Sequence, residues 1–269
     1  MSASATRWRP TPLVAVSIAL HVLAIGVLLA SPDDWPWVLG AILCNHLLFT
    51  ALGLWPRSRL LGANWTRLPD AAAARGEIAL TIDDGPDPVV TPQVLDILER
   101  YGVAATFFCI GGRAVRHPDL VRDIVRRGHA VENHSDRHAV TFALMGVGAF
   151  VRELQAAQSA LAGITGRPPQ FFRAPAGLRS PLLDPALVRV GLRLATWTRR
   201  GFDTLERNPD KVAKRLLRNL RAGDILLLHD GNAARTSDGV PVIVAVLPGL
   251  LDAIRRAGLS PVTLAAALR

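Results

Sequence analysis

Residues 77–110 read EIALTIDDGPDPVVTPQVLDILERYGVAATFFCI, and the fold of the larger part of the chain follows from them. Glu77 to Ile82 and Ala104 to Ile110 are short apolar runs with the length and residue types of buried strands. Between them Thr91-Pro92 caps and opens a helix that runs to about Tyr101. Strand, helix, strand is the repeating unit of a parallel α/β sheet.

The alternation continues outward. Helical patterns recur at Pro118 to Arg127, Ala149 to Ala162, Pro181 to Val190, Pro209 to Leu220 and Val242 to Ala257. Strands fit near Ala130 and Phe171, at Leu192 to Trp197, at Ile225 to His229 and at Pro261 to Thr263. This predicts an α/β domain of about seven strands over residues 77–269, and the pattern alone suits a barrel-like closure and an open sheet equally. In either form, functional groups gather just beyond the C-terminal ends of the strands, where the following loops converge.

Upstream the pattern changes. From Leu13 to Ala30 only Ser17 and His21 carry polar side chains, and from Val38 to Leu54 only Cys44, Asn45, His46 and Thr50 do. Each run approaches the roughly 20 apolar residues of a bilayer span. Ser31-Pro-Asp-Asp-Trp-Pro36 between them is turn-forming, and Trp8, Trp35, Trp37 and Trp55 stand at the run ends, where an aromatic belt would lie. Residues 1–56 therefore read as a two-helix transmembrane hairpin with spans at about 13–30 and 38–54, and residues 57–76 as a linker. A cleaved signal peptide is also basic then apolar, but a second apolar run follows here. Arg7 and Arg9 precede the first run, Arg57 and Arg59 follow the second, and the loop between has no arginine. The positive-inside rule then places both ends, and the large domain, on the cytoplasmic side of a bacterial inner membrane, as a multi-pass protein. If only the first run spans, the domain faces outward. Asn45 and His46 are costly in lipid unless they pair, so helix-to-helix hydrogen bonding is their expected role.

The formal net charge is +9, with Lys211 and Lys214 the only lysines, so arginine carries almost all of it. Such a surface suits phosphates, anionic lipid headgroups or nucleic acid equally well. Nothing in the chain reads as a nucleic-acid module, and no protein partner is indicated. The two cysteines, Cys44 and Cys109, sit in apolar runs and predict no disulfide.

Four short motifs carry the chemistry. Thr81-Ile-Asp-Asp-Gly-Pro-Asp87 alone is an acidic turn. His134-Ser-Asp-Arg-His138 places two imidazoles four residues apart, which on a helical turn would share one face and reach one metal. Phe171-Phe-Arg-Ala-Pro-Ala-Gly177 sets Arg173 at a strand end before a loop able to present backbone N–H groups. Gly223-Asp-Ile-Leu-Leu-Leu-His-Asp230 ends an apolar strand in His229. Singly, each is more readily a structural feature. Together they supply two imidazoles and a carboxylate for a divalent transition metal with open positions, plus further acid, base and cationic groups.

In these motifs, in their order, and in Ala104-Ala-Thr-Phe-Phe108 and Gly128-His129, the chain from about Ile78 onward resembles the polysaccharide deacetylase family, the NodB-homology or chitin deacetylase-like carbohydrate esterases. The resemblance implies a distorted (β/α) barrel of about seven parallel strands. It also implies a hydrolase that removes an N-acyl group, acetyl or formyl, from an amino sugar. By position it makes Asp83 the general base, Asp84, His134 and His138 the metal ligands, Arg173 the residue that steadies the base, and His229 the acid that protonates the leaving amine. One metal ion is implied, Zn²⁺ first, with Co²⁺, Mn²⁺ or Ni²⁺ as alternatives. The backbone N–H of Ala176 is the implied oxyanion donor, at a position where the family often has tyrosine. The family's fourth motif carries an aspartate three residues after a tryptophan to polarise the acid histidine. Here Trp197-Thr-Arg-Arg200 puts Arg200 there, and Asp203 is the substitute expected from the same loop.

A two-span anchor and a basic domain together favour a lipid-linked amino sugar, such as a polyprenyl-phosphate glycan, with membrane lipid as the other partner. The competing readings are a deacetylase of cell-wall polysaccharide, which needs the domain outside, a non-catalytic membrane scaffold on the same fold, and a metal-dependent phosphodiesterase.

Overall fold

The structure, a computed structural model, describes residues 7–269. Its N-terminal part is a pair of long helices, α1 (Pro12–Ala30) and α2 (Trp35–Gly53), joined by a short 3-10 turn at Pro32–Asp34. Thr11 caps α1 by accepting from the Val14 N–H, and Pro12 occupies the first helical position, where a missing N–H costs nothing. Both helices are long and apolar enough to cross a bilayer, and most of their side chains are exposed. Polar residues inside them pair across the two helices: Asn45 Nδ2 donates to Ser17 Oγ at 3.0 Å, and the His21 and His46 rings meet edge to face at 5.4 Å.

The remaining elements run α3 (Asp70–Ala74), β1 (Glu77–Asp83), α4 (Val90–Tyr101), β2 (Thr106–Cys109), α5 (Gly111–Arg116), α6 (Pro118–Arg126), β3 (Ala130–Asn133), α7 (Val147–Thr165), β4 (Phe171–Phe172), α8 (Leu183–Val190), β5 (Arg193–Leu194), β6 (Arg199–Arg200), α9 (Pro209–Leu217), β7 (Ile225–His229), α10 (Val242–Arg256) and β8 (Ser260–Val262). The strands form one curled parallel sheet in the order β5-β4-β3-β2-β1-β7-β6, with β8 pairing the start of β1. The expected α/β class and parallel sheet are therefore present.

Period-two alternation along β1 decides what faces where. Ile78, Leu80 and Ile82 are fully buried in the cluster that includes Val94 and Leu98 of α4 and Leu247 and Leu250 of α10. Full burial of each such side chain stabilises the fold by roughly 1.5–3 kcal/mol. Ala79, Thr81 and Asp83 alternate onto the other face, and Thr81 and Asp83 both meet Arg173 there. The register then fixes the neighbours of the strand end: Asp83 lies opposite Phe108 of β2 and His229 of β7.

Two sequence expectations are corrected. The strand expected at Leu192 to Trp197 is shortened to β5, after which the carbonyls of Ala195 and Thr196 accept from the Arg173 guanidinium, and the chain crosses to β6 at the opposite edge of the sheet. Residues 57–76 were expected as a linker, yet Ser58, Leu61, Asn64 and Leu68 are buried. Trp65 bridges Ala195, the Trp65 N–H donates to the Leu194 carbonyl, and Asn64 accepts from Thr196. This segment covers the edge of the sheet at β5.

Candidate metal and catalytic site

Asp84 follows β1 with a φ of 74°, a left-handed conformation that turns its carboxylate away from the strand direction. Gly231 lies against that turn, since a Cβ there would stand 2.4 Å from the Asp84 carbonyl oxygen. Arg113 donates to the same carbonyl at 2.8 Å, and Asn232 Nδ2 donates to Asp84 Oδ2 at 3.1 Å.

Facing Asp84 Oδ1 are the Nε2 atoms of His134, at 3.1 Å, and His138, at 3.2 Å. The two histidines come together by a loop and not by the helical turn expected from their spacing. Asn133 Oδ1 accepts from the Ser135 N–H, Ser135 Oγ accepts from the His138 N–H, and Ser135 and His138 both take positive φ. These local bonds replace helical ones and fold the loop so that both rings reach one point. The ligand atoms of Asp84, His134 and His138 all lie within 4.8 Å of one another.

The donor set fits a divalent metal. His134 Nδ1 donates to the Arg173 carbonyl at 2.8 Å, which leaves the Nε2 lone pair directed at the shared point. Burial pushes the Asp84 carboxyl up, but its interactions with both histidines more than offset this and hold it far below the usual carboxylate range. A carboxylate that stays ionised and two imidazoles on one side, with a cavity on the other, form a three-ligand site with open positions.

Asp83 is buried beside this triad, its Oδ2 at 3.9 Å from His134 Nε2. Arg173 Nη1 donates to Asp83 Oδ1 at 2.7 Å and also to Thr81 Oγ1 at 2.7 Å. The other guanidinium nitrogens donate to the Ala195 and Thr196 carbonyls, and the Phe108 ring lies 4.1 Å below the guanidinium carbon. This fully buried cation is thus satisfied on every side and has one ionic partner, Asp83.

His229 lies across from Asp83. Its Nδ1 donates to Asp203 Oδ1 at 2.9 Å, and its backbone N–H donates to Asp203 Oδ2 at 2.7 Å. Burial pulls the His229 imidazole down, but the hydrogen bond and charge of Asp203, with Asp83 and Asp84 beyond, leave it above its ordinary value. Asp203 itself is completely buried. Arg200, where the related motif has a carboxylate, instead stacks near Trp197 and Phe202 at the rim.

Ala176 completes the wall, with a φ of 54° inside the Pro175–Gly177 turn. Asp83, Asp84, His134, His138, Ala176 and His229 line one cavity of about 160 Å³, together with Trp197 and Arg200. The residues that sequence reading missed are Arg113, Asn232 and Glu132. Asn232 follows the His229 motif directly and could have been read from it. Glu132 accepts the N–H groups of Gln170 and Phe171, both at 2.7 Å, and so ties β3 to the strand carrying Arg173.

The chain is similar to known proteins over much of its length. A family profile described as polysaccharide deacetylase matches residues 70–195. A peptidoglycan-N-acetylglucosamine deacetylase of Bacillus cereus is 33% identical over 199 residues, covering 71% of this chain and 88% of its own. A chitooligosaccharide deacetylase of Sinorhizobium fredii is 34% identical over 164 residues, covering 61% and 76%. Among solved structures, a family 4 carbohydrate esterase from Streptomyces lividans in complex with acetate superposes with a TM-score of 0.63 at 30% identity. That match covers 69% of this chain and 91% of the esterase.

Proposed function

The chain belongs to the polysaccharide deacetylase family and is a metal-dependent carbohydrate N-deacetylase, and on that premise we propose how its own residues divide the work. The observation that carries the assignment is the meeting of three metal-ligating atoms with Asp83 and His229 in one small cavity. Asp84, His134 and His138 hold the metal, Zn²⁺ in the first instance. When bound, the metal supplies Lewis acidity toward the acyl carbonyl and the attacking water.

Asp83 is the general base. Its carboxylate, fixed by Arg173, accepts the proton of the water that attacks the acyl carbon. The backbone N–H of Ala176 donates to the oxygen that gains charge at that step. His229, protonated and aimed by Asp203, gives a proton to the amide nitrogen as the carbon–nitrogen bond breaks. Amide and water thus become amine and a short carboxylic acid, acetate or formate. The names of the relatives suggest N-acetylglucosamine as the reacting unit.

The same reading extends to the rest of the chain. Of the residues expected as a hairpin, 1–6 lie outside the described ones; Pro12–Gly53 form a membrane hairpin and residues 77–269 the catalytic domain, which the arginine distribution puts on the cytoplasmic face, acting on a lipid-linked amino sugar. Acetate and formate release is measured from soluble and polyprenyl-linked N-acyl sugars after zinc or cobalt loading, with Asp83→Asn as control. Metal-dependent release that disappears in the variant supports the reading, and undiminished release by Asp83→Asn removes the base from it.

A further inference from the structure

The hairpin touches the catalytic loops directly. The Arg179 N–H donates to the Gly53 carbonyl at 3.3 Å, and a Cβ on Gly53 would stand 2.3 Å from the Arg179 carbonyl oxygen. A Cβ on Gly177, next to Ala176, would meet Trp197 at 2.5 Å and Pro56 at 2.9 Å. The end of α2 and the loop bearing Ala176 therefore pack backbone against backbone.

A cavity of about 760 Å³ opens along this seam, within the range of about 300–1,000 Å³ typical of ligand sites. Its walls are apolar: Ile18, Val22 and Ile25 from α1 on one side, Val140, Leu144 and Leu182 from the catalytic domain on the other. Those three domain side chains are exposed, a patch that water disfavours and lipid does not. Leu54 and Leu178 belong both to this cavity and to a second of about 470 Å³, which in turn shares Ala176, Trp197 and Arg200 with the metal cavity. The three cavities therefore adjoin in the order apolar seam, middle cavity, metal cavity.

This row is cationic where it nears the metal. Arg57 and Arg200 line the middle cavity, and neither has a carboxylate partner among the described residues. Four buried side-chain atoms of the described residues lack a hydrogen-bond partner within the protein, and three of them, Arg179 Nε, Ser180 Oγ and Arg200 Nε, lie on residues of these cavities. Of these only Arg200 Nε belongs to the cationic stretch, where an unpaired buried donor is costly.

We propose that the seam between the hairpin and the catalytic domain seats the hydrocarbon chain of a membrane lipid whose amino sugar, joined through phosphate, is the substrate. Arg57 and Arg200 receive the phosphate, the sugar enters the metal cavity, and the chain lies between α1 and the loops at 140–144 and 178–185. The order of the three chemistries along the row, metal, cation and apolar wall, matches the order of sugar, phosphate and hydrocarbon in such a lipid. This rests on the deacetylase reading for the sugar end only.

The test uses the full chain in phosphatidylcholine nanodiscs and farnesyl phosphate bearing a diazirine at its chain end. Irradiation labels residues 140–144 and 178–185. The label is competed by unmodified farnesyl phosphate, not by farnesol or inorganic phosphate, and falls at least fivefold in Arg200→Gln. Labelling spread over outward side chains such as Leu29 and Trp37, or indifferent to competitor, overturns the proposal. In a second arm, farnesyl-phosphate-linked N-acetylglucosamine shows kcat/KM at least tenfold above N-acetylglucosamine 1-phosphate, and Leu182→Trp, which fills the groove, collapses that ratio. Equal kcat/KM for the two substrates overturns the groove and leaves the deacetylase standing. Failure to release acetate from any substrate counts against the deacetylase reading, and the labelling arm still decides the groove.

Discussion

Replacing Asp203 with asparagine removes a charge and leaves the volume, so it isolates what the carboxylate does for His229. In the wild type the side chain accepts from His229 Nδ1 at 2.9 Å and from the His229 backbone N–H at 2.7 Å. An asparagine oxygen can keep one of these bonds, but it gives the imidazolium no negative partner. A hydrogen bond to a charged group contributes about 1.5–3 kcal/mol, and about 1.36 kcal/mol corresponds to one pH unit of a group's titration. Burial pulls the His229 value down and Asp203 raises it, so losing the Asp203 charge should lower it. His229 acts as an acid, so activity is present below its pKa and lost above it. Lowering the pKa moves that loss to lower pH. The expected result is an alkaline limb of kcat/KM displaced to lower pH, with activity on that limb reduced roughly 10- to 100-fold, the factor that a charged hydrogen bond of about 1.5–3 kcal/mol implies. Asp203→Glu should restore part of the displacement. Thermal unfolding of both variants separates a fold defect from this effect, because a fold defect lowers the midpoint without moving the limb. An alkaline limb unchanged in Asp203→Asn would refute the assignment of Asp203 as the residue that aims and charges His229.

Other perturbations follow the same geometry. Chelation should abolish turnover and zinc or cobalt restore it, whereas His134→Ala, which breaks the ligand set, should weaken metal binding by about 100-fold or more in a competition titration with a chromogenic chelator. Arg173→Met leaves Asp83 buried without its cation and should cost about 3–5 kcal/mol of stability by thermal unfolding, with turnover lost at every pH. Glu132 is pushed up to about 7 by burial, so the folded state holds its proton more tightly than the unfolded chain does. Its contribution is fully present below about pH 4.5 and is lost as pH rises through about 7, a change on the order of 3 kcal/mol. Thermal midpoints measured from pH 4 to 8 should lose this component of their slope in Glu132→Gln. Gly177→Ala places a methyl against Trp197 and Pro56 at a φ of 75°, and should lower both the unfolding midpoint and kcat by shifting the Ala176 turn.

Much of the site is legible in sequence because its residues stand where strands end. Asp83, Arg173 and His229 each close or follow an apolar run, and a run of that kind announces its own last residue. The metal ligands are legible for the same reason, although the loop joining His134 to His138 is not. Its shape depends on Asn133 and Ser135 bonding to the backbone, which competes locally with the helix that the spacing suggests. Glu132 and Arg113 stay hidden because their partners lie about 30–40 residues away in sequence and close only when the parallel sheet forms. The shortness of β5 is hidden too, since the carbonyls that follow it are taken by Arg173. Residues 57–76 look like a linker by composition, and only the pairing of Trp65 with Ala195 reveals them as part of the sheet's cover.

The exchange at Arg200 links the two ends of the molecule. With the carboxylate three residues further along the chain, at Asp203, the loop still reaches the His229 ring, and does so from a fully buried position that also holds the His229 backbone. Position 200 is then released from that duty. It carries a guanidinium at the mouth of the metal cavity, over Trp197 and Phe202 and beside the chain leaving the hairpin. A carboxylate there would repel phosphate, and the arginine attracts it. The departure from the family's pattern thus keeps the acid's partner while reversing the charge that an incoming headgroup meets. A substitution that restored the usual residue, Arg200→Asp, should accordingly leave His229 paired but reduce the preference for phosphate-bearing over neutral amino sugars, read as the ratio of their kcat/KM values. An unchanged ratio would show that the charge at this rim plays no part in choosing the substrate.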